Sequence, residues 1–421
     1  MKYSLLITGL LIIAHQAGAQ ITNPKDVVTQ DATDRANNHI SDGVNTGLDK
    51  TESTIKGLFG KKNKKTRSEA ASDVAQADHN NQASPVNTDP KPSINSYQNY
   101  DFVPGDTILF ADDFTQDQNG EFPAHWNLEK GQAVINTVTG NPSFCIIDGN
   151  YCTVSPRMKT PSYLGNAFTI EFDTYCDNNN SEQASPILYL LYADKDGNTE
   201  NGEIQFNKGD HDGRGDISLS NFPNDLSSNM PEKLRENYPD SWHHCAIIFR
   251  NNQLKCYVDQ YRVLTVPNLD CVPTAFGFEG VGNETHPIVI SNVRLASGGS
   301  MNMIGKKFTE AKIVTHGITF YVDKSSLKPA SMGTLNMIVN ILKSNPDVKF
   351  EIDGHTDNTG QAAHNLILSS QRAEAVKAQL IKMGISPDRL STKGLGDTQP
   401  ISDNNTPEGR ANNRRVEFLR K

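Results

Sequence analysis

The chain has 421 residues, of which 36% are hydrophobic, and 40 basic and 49 acidic side chains give it a formal net charge of −9. At roughly 100 to 200 residues per domain, this length predicts two or three domains. Nucleic-acid binders have broadly basic surfaces, and no basic groove is visible here. A nucleic-acid partner is therefore not expected.

The first 19 residues have the pattern of a secretory signal peptide. Met1-Lys2 is followed by an apolar run over 5–14 and by the small residues Ala17-Gly18-Ala19. The run is about half of the roughly twenty residues that a membrane-spanning helix needs. We expect export, with a mature chain that starts at Gln20 and, because residue 20 is not cysteine, no lipid attached there.

Residues 20–105 predict a largely disordered or helical N-terminal region. Apolar residues recur at helical spacing from Val28 to Leu58, and a lysine cluster follows over 61–67. Such a stripe could rest on an anionic membrane surface, but it is thin, and a solvated spacer is favoured. The Ala-, Asn- and Ser-rich stretch Ser68–Tyr100 is typical of a disordered linker.

Residues 106–297 alternate apolar and polar positions in short runs between Gly, Asn and Asp turns. This pattern predicts an all-β antiparallel sandwich. Clear strands are Ala167–Tyr175, Cys245–Phe249, Leu254–Val266 and Ile288–Leu295. Together with Asp112-Asp113-Phe114 and Trp126 upstream, they resemble the concanavalin A-like jelly roll of laminin-G-type modules.

All six cysteines fall between Cys145 and Cys271. An even number within one exported domain favours disulfides, although six cysteines allow fifteen pairings. Buried free thiols in strands are the alternative interpretation. The cysteine and histidine spacing does not predict a metal site.

After a connector over 298–310, residues 311–421 alternate strands and helices and predict a small α/β sandwich. The predicted strands are Ile318–Tyr321, Val348–Ile352 and Arg415–Leu419. Pro329 opens the first predicted helix, and Ser369–Met383 is the second.

Three motifs occur in order within this last region. They are Phe320-x-x-Asp323-x-Ser325-x-Leu327-x-Pro329, then Gly354-His355-Thr356-Asp357-Asn358 followed by Asn365 and Arg372-Ala373, and finally Gly394-x-Gly396 with Asn413-Arg414-Arg415-Val416. Each is weak alone, but the ordered set, from Ile318 to Lys421, resembles the OmpA/MotB/Pal peptidoglycan-binding domain.

That resemblance implies a ligand and a site. The ligand is the diamino acid of the peptidoglycan stem peptide, usually meso-diaminopimelate, with Asp357 holding its ammonium and Arg372 its carboxylate. The residue types suit these roles, because arginine offers a planar fork for a carboxylate. The predicted supporting residues are Asp323, Thr356, Asn358, Asn365 and Arg414.

Each of these residues also has a simpler interpretation. Asp357 could cap its own loop as an Asx-turn, and Arg372 could be a solvated helix residue. Arg414 could pair with a nearby acid. The family resemblance is what favours a binding site.

The central region offers two further candidates. Glu171 and Asp173 lie on one face of a strand, as the carboxylate pair of a glycoside hydrolase would, but the third carboxylate of such enzymes is missing. The acidic turns 194–198 and 210–213 could hold calcium, although plain turns are favoured. Otherwise no cofactor is expected.

These observations predict a non-enzymatic, exported protein of a diderm bacterial envelope, periplasmic or associated with the outer membrane. Its C-terminal domain would bind peptidoglycan and anchor the β-sandwich as a binding or adhesion module. A glycan or a protein would be the sandwich's ligand, and an outer-membrane protein a further partner. The alternative is a wall-targeted glycan hydrolase with its active site in the sandwich.

Overall fold

The structure is a computed structural model that describes residues 100–177, 185–207, 215–299 and 308–421. The predicted signal peptide and the amphipathic stretch lie outside these ranges. No helix within them is both long and apolar enough to cross a membrane.

In its described residues, the central region has thirteen strands and one short helix. These are β1 Thr107–Asp112, β2 Trp126–Val138, β3 Asn141–Pro156, β4 Ala167–Cys176, β5 Ile187–Ala193, β6 Thr199–Asn207, β7 Asp216–Ser220, β8 Leu226–Asn229, α1 Glu232–Glu236, β9 Ser241–Arg250, β10 Gln253–Val258, β11 Tyr261–Val266, β12 Pro273–Gly280 and β13 Ile288–Ser297.

Hydrogen bonds join these strands into one sheet in the order β11-β10-β9-β4-β13-β3-β12-β5-β6-β7-β8, with β1 added on β13 and β2 on β3. The end strands β8 and β11 meet across a cleft of about 320 Å³, so the sheet is nearly closed. The long strand β3 turns the sheet, because it pairs with β13 near Cys145 and with β12 near Thr153. The predicted β-rich architecture is confirmed, whereas the jelly-roll connectivity stays a prediction.

The alternating pattern of the strands fills the interior of this sheet with aromatic rings. Trp126, Phe144, Phe172, Phe206 and Phe278 are all fully buried. Their edge-to-face and tilted contacts have centroid distances of 4.9 to 6.0 Å. This core buries the inward face of the strands, which stabilises the sheet.

Two sequence predictions for the central region need correction. The predicted strand Leu254–Val266 is two strands, because the chain turns at Asp259, whose φ is 49°. The six cysteines are free thiols, five of them buried, so the disulfide interpretation is wrong. Burial raises the pKa of Cys145 to about 12 and that of Cys152 to about 11, which keeps both thiols protonated.

The C-terminal region is an α/β fold with a four-stranded sheet in the order β14-β17-β15-β16. Its elements are β14 Lys312–Thr315, a 3₁₀ turn Pro329–Ser331, α2 Met332–Ser344, β15 Phe350–His355, α3 Ala362–Lys382, a 3₁₀ turn Pro387–Arg389, β16 Leu390–Gly396, α4 Pro407–Asn413 and β17 Val416–Arg420.

The first predicted strand of this region, Ile318–Tyr321, is not formed. Its one ladder contact is a bridge between Phe320 and Leu327, because Asp323 (φ 52°) turns the chain back on itself. The strand that pairs with the C-terminal strand β17 is instead β14, at Lys312–Thr315.

The two regions share a hydrophobic core. Tyr100 and Phe102, at the end of the predicted linker, are buried together with Ile248 and Tyr257 of the central sheet and with the apolar residues of α2. The linker prediction is therefore wrong for residues 100–105, which pack between the regions.

Candidate functional site

The candidate site lies where β15 ends and the chain passes through a short loop into α3. Asp357 follows the strand by two residues and is 7% exposed. Its Oδ1 accepts a hydrogen bond from the Thr359 N–H at 2.9 Å, and its Oδ2 lies 2.6 Å from Nη1 of Arg414. The Asp357 carboxylate thus forms the predicted Asx-turn and also pairs with Arg414.

These contacts decide the charge of Asp357. Burial by itself would raise the pKa of this carboxyl, but the bonds from Arg414 and from the Thr359 N–H outweigh burial and hold the pKa below its usual value of 3.8. Asp357 is therefore an anion at neutral pH, and its orientation is fixed by two donors.

Arg372 lies in the third turn of α3, because this helix starts at Ala362 and not at the predicted Ser369. The apolar pattern starts later than the helix, since Leu366 and Ile367 of the second turn are exposed. The Arg372 guanidinium stands 4.9 Å from the centroid of the Phe320 ring, and its Nε donates to the Lys324 carbonyl at 3.1 Å.

Within the described residues, the Arg372 side chain is held through its Nε and through the Phe320 ring. Burial lowers the pKa of this guanidinium, and the charges of Asp323 and Asp357 counteract that effect. An arginine keeps its proton under such conditions. Asp357 and Arg372 do not form a direct ion pair with each other in this structure, but they lie near enough to interact electrostatically.

The predicted supporting residues shape the loop. Asn365 is 4% exposed, and its Nδ2 donates to the carbonyls of Asp357 (3.3 Å) and Thr359 (3.1 Å). The Thr356 N–H donates to the Gly396 carbonyl at 2.9 Å. The Asn358 N–H donates to Oδ1 of Asn404 at 3.4 Å. These bonds fix the backbone on both sides of Asp357.

Asp323 acts at a different place from the other supporting residues. Its Oδ1 lies 2.6 Å from Nε2 of His364, and both side chains are more than half exposed. This pair connects the loop that carries Phe320 to the first turn of α3. Asp323 thus supports the loop under Arg372 and does not contact Asp357.

Sequence reasoning missed three contributors to the site: Phe320 as the surface under Arg372, His364 as the partner of Asp323, and Asn413. Asn413 is fully buried, and its Oδ1 accepts from the Ile401 and Ser402 N–H groups at 2.8 and 3.0 Å. Its Nδ2 donates to the Asn404 side chain at 2.9 Å. Only its place in the Asn413-Arg414 motif pointed to this role.

The carboxylate pair of the central region is held in two ion pairs. Glu171 and Asp173 share one face of β4, as predicted, but Arg294 lies 2.5 Å from Glu171 and His244 lies 2.7 Å from Asp173. Burial works to raise both carboxyl pKa values, and these cationic partners outweigh burial and lower them. Neither carboxylate can therefore serve as a general acid at neutral pH.

Ser241, His243 and Asp259 are connected like a catalytic triad, but His243 cannot act as the base of such a triad. Nδ1 of His243 lies 2.8 Å from Asp259, and Nε2 lies 3.1 Å from the Ser241 hydroxyl. The same Nε2 lies 2.8 Å from the Tyr238 carbonyl, which can only accept, so this nitrogen carries the proton. His243 is 3% exposed beneath the Tyr238 ring. It cannot take a proton from serine at Nε2.

No group of three or more acidic, histidine or cysteine side chains that could hold a metal is found within the described ranges. Asp194 uses both carboxylate oxygens within its own turn, bonding to Asp196 and Asn198 at 2.8 to 2.9 Å. The other acidic turn, 210–213, lies outside the described residues. Calcium at these turns stays a prediction.

Residues 319–414 match the OmpA family. Peptidoglycan-binding protein ArfA of Mycobacterium tuberculosis (strain ATCC 25618 / H37Rv) is 48% identical over 107 residues, which are 25% of this chain and 33% of ArfA. Outer membrane porin F of Pseudomonas fluorescens is 42% identical over 100 residues, which are 24% of this chain and 31% of the porin. The chain spans about a third of the length of these two relatives.

Among solved structures, the peptidoglycan-associated lipoprotein from Burkholderia pseudomallei is 27% identical, covers 27% of this chain and 91% of its own, and has a TM-score of 0.24. The match of residues 319–414 to the OmpA family confirms the predicted resemblance for the C-terminal region, whereas the concanavalin A-like resemblance of the central region stays a prediction. Over residues 319–414, the chain is an OmpA family domain.

Proposed function

We propose that this protein is a non-catalytic cell-envelope protein whose OmpA family domain binds the diamino acid of the peptidoglycan stem peptide. The observation that carries the proposal is the placement of Asp357 and Arg372, two oppositely charged and partly desolvated groups, on either side of one short loop. A diamino acid such as diaminopimelate presents an ammonium and a carboxylate on one carbon, which matches this pair.

The carboxylate of Asp357 can take the ligand ammonium while it stays bonded to Arg414. A carboxylate offers about four lone-pair sites, and the Thr359 N–H and Arg414 occupy two of them. Arg414 therefore orients Asp357, and Arg372 binds the ligand carboxylate through its free fork. The similarity to peptidoglycan-binding protein ArfA supports this assignment.

In this proposal the protein is exported to the envelope of a diderm bacterium, in the periplasm or at the outer membrane. The central region is carried as a binding or adhesion module for a glycan or a protein. A hydrolase is not favoured, because the carboxylate pair that it would need is already neutralised by Arg294 and His244.

The test is sedimentation of the full chain with purified sacculi. Asp357→Ala and Arg372→Ala should each weaken binding by about thirtyfold or more, because each leaves one ligand charge desolvated and unpaired, at about 2–5 kcal/mol. Arg372→Lys keeps the charge but not the planar fork, so it should fall between wild type and alanine.

Lys382→Ala is the matched control, since Lys382 is an exposed cation on the same helix. It should bind like the wild type. Equal losses for Lys382→Ala and Arg372→Ala would mean a general electrostatic attraction and would refute the site. Unchanged sedimentation of both Asp357→Ala and Arg372→Ala would refute the function.

A further inference from the structure

The four consecutive residues 412–415 connect the candidate site to the central region. Asn412 bonds to β1, Asn413 holds the loop over 401–404, Arg414 pairs with Asp357, and Arg415 pairs with Glu417 at 2.7 Å. They follow one another at the end of α4, so a shift of any one displaces its neighbours.

Asn412 makes a pair of hydrogen bonds to the open edge of a strand. β1 has one hydrogen-bonded neighbour, β13, within the described sheet. At its other edge the Ile108 N–H donates to Oδ1 of Asn412 at 3.0 Å, and Nδ2 of Asn412 donates to the Ile108 carbonyl at 2.9 Å. Asn412 is 8% exposed. It therefore satisfies edge groups that would otherwise be buried without a partner.

A second line of contacts holds the backbone of the same residue. Arg294, paired with Glu171, donates from Nη1 to the His316 carbonyl at 3.1 Å. The His316 ring in turn donates from Nε2 to the Asn412 carbonyl at 2.9 Å, since a carbonyl can only accept. Asn412 is thus fixed by its side chain, which bonds to β1, and by its carbonyl, which bonds to the His316 ring, while Arg294 of the central sheet bonds to the His316 backbone.

Apolar side chains close the same contact. Ala411 of α4 is buried in one cluster with Ile108, Ala111 and Ala296. Because three of these four residues are alanines, α4 can approach β1 closely enough for the Asn412 bonds to form.

We propose that the central region is the docking partner that positions the peptidoglycan site, and that Asn412 is the positioning residue that transmits this contact to Arg414 and Asp357. Asn412 does not touch the ligand. In this proposal the central region supports the binding site of the C-terminal domain, in addition to being the module that this domain attaches to the cell wall. This inference rests on the proposed function, because it takes Asp357 as a ligand-binding residue that Arg414 orients.

The experiment is a double-mutant cycle on the full chain, with sacculus sedimentation as the readout. Asn412→Ala should weaken binding by about threefold to thirtyfold, the range for residues that modulate a site from outside it. Because Asn412 acts through Arg414, the double variant Asn412→Ala/Arg414→Ala should lose no more than Arg414→Ala alone. Losses that multiply would mean independent action and would overturn the proposal.

Asn345→Ala controls for general destabilisation. Asn412 also donates to the Glu408 carbonyl, four residues back, at 2.9 Å. Asn345, which follows the last residue of α2, likewise accepts from a distant backbone N–H, that of Phe308 (3.2 Å), and donates to a carbonyl four residues back, that of Ile341 (2.8 Å). It lies near the start of β15, whereas the site lies at the other end. Its loss should leave binding unchanged, with melting temperatures recorded for every variant.

The outcomes separate the two proposals. If Arg414→Ala and Asp357→Ala do not weaken sedimentation, the proposed function itself fails. If both weaken it while Asn412→Ala binds like the wild type, only the coupling fails. Equal losses for Asn412→Ala and Asn345→Ala would show a general effect of stability and would also overturn the coupling.

Discussion

Asp357 owes its chemistry to two neighbours that lie on different elements. The Thr359 N–H belongs to its own loop, whereas Arg414 comes from the junction of α4 and β17, 57 residues away. Together they lower the pKa of the carboxyl against the effect of burial. The site is therefore an oriented anion before any ligand arrives, which reduces the cost of ordering it on binding.

This shift predicts how binding depends on pH. A carboxyl group binds an ammonium only as an anion, so the contribution proposed for Asp357 is present above its folded pKa and lost as the pH falls through that value. Because that pKa lies below 3.8, sacculus binding should not lose the Asp357 contribution until the pH is below about 4. Arg414→Ala removes the contact that lowers the Asp357 pKa most, so in this variant the loss of binding should begin at a higher pH.

The measurement is sedimentation of the wild type and Arg414→Ala over a pH series. The ligand's own carboxyl groups titrate identically in both, so the displacement between the two curves reports on Asp357. Curves with the same midpoint would contradict the role given to Arg414.

At the scale of elements, α2 and the segment over 100–105 are packed backbone against backbone. Gly333 of α2 lies under the Phe102 carbonyl, and a Cβ at this position would lie 1.7 Å from that oxygen. Asn336 of the same helix donates to the Tyr100 carbonyl at 3.1 Å. A glycine inside a helix is normally unfavourable, so its presence here reflects the close approach.

Gly333→Ala should therefore destabilise the protein by about 1–3 kcal/mol, the range for overpacking, although alanine is the better helix former. Urea unfolding of the full chain measures the effect. Gly165→Ala is the matched control, because its Cβ would meet nothing within 4 Å; it should change stability by no more than about 0.5 kcal/mol. A neutral Gly333→Ala would mean that the segment is not packed on α2.

At the scale of the whole molecule, buried histidines lie on both sides of the contact between the regions. Burial lowers the pKa of His316 and of His355 to about 4. Burial would also lower the pKa of His244, but the bonds to Asp173 and Glu171 outweigh it and raise the pKa to about 10. At neutral pH, His316 and His355 are therefore neutral in the folded protein, whereas His244 is charged.

These shifts predict that the three histidines together contribute most to the unfolding free energy near pH 6.5. His316 and His355 bind fewer protons folded than unfolded, so their contribution falls as the pH drops from about 6.5, the unfolded value, toward 4. The contribution of His244 is fully present below about 6.5 and is lost as the pH rises toward 10. Urea unfolding at pH 4.5, 6.5 and 8.5 measures the profile.

His355→Leu should make the acid side of this profile shallower, because it removes one of the two neutral histidines, and should leave the alkaline side unchanged. Equal slopes on the acid side for the wild type and His355→Leu would contradict the neutral state assigned to His355.

The sequence by itself determined the features that depend on local order. Strand alternation identified β4 at Ala167–Cys176 within one residue of its end, and the ordered motifs identified the OmpA family domain and its charged residues. These features can be predicted from sequence because the period of a strand and the spacing of a motif depend only on residues that are close together in the chain. The start of α3 was missed because Leu366 and Ile367 of its second turn are exposed, whereas the buried positions there include the polar residues Asn365 and Ser369.

The tertiary structure alone decided which groups meet. Arg414 rather than Arg372 pairs directly with Asp357, Glu171 and Asp173 are neutralised by cations from other strands, and Asn412 bonds to Ile108 across 304 residues. No local pattern encodes these contacts, because they arise when packed surfaces bring distant polar groups together and burial obliges each to find a partner. Residues 100–105 were predicted as the end of a linker, but they form a buried segment between the two regions, because Tyr100 and Phe102 pack against both.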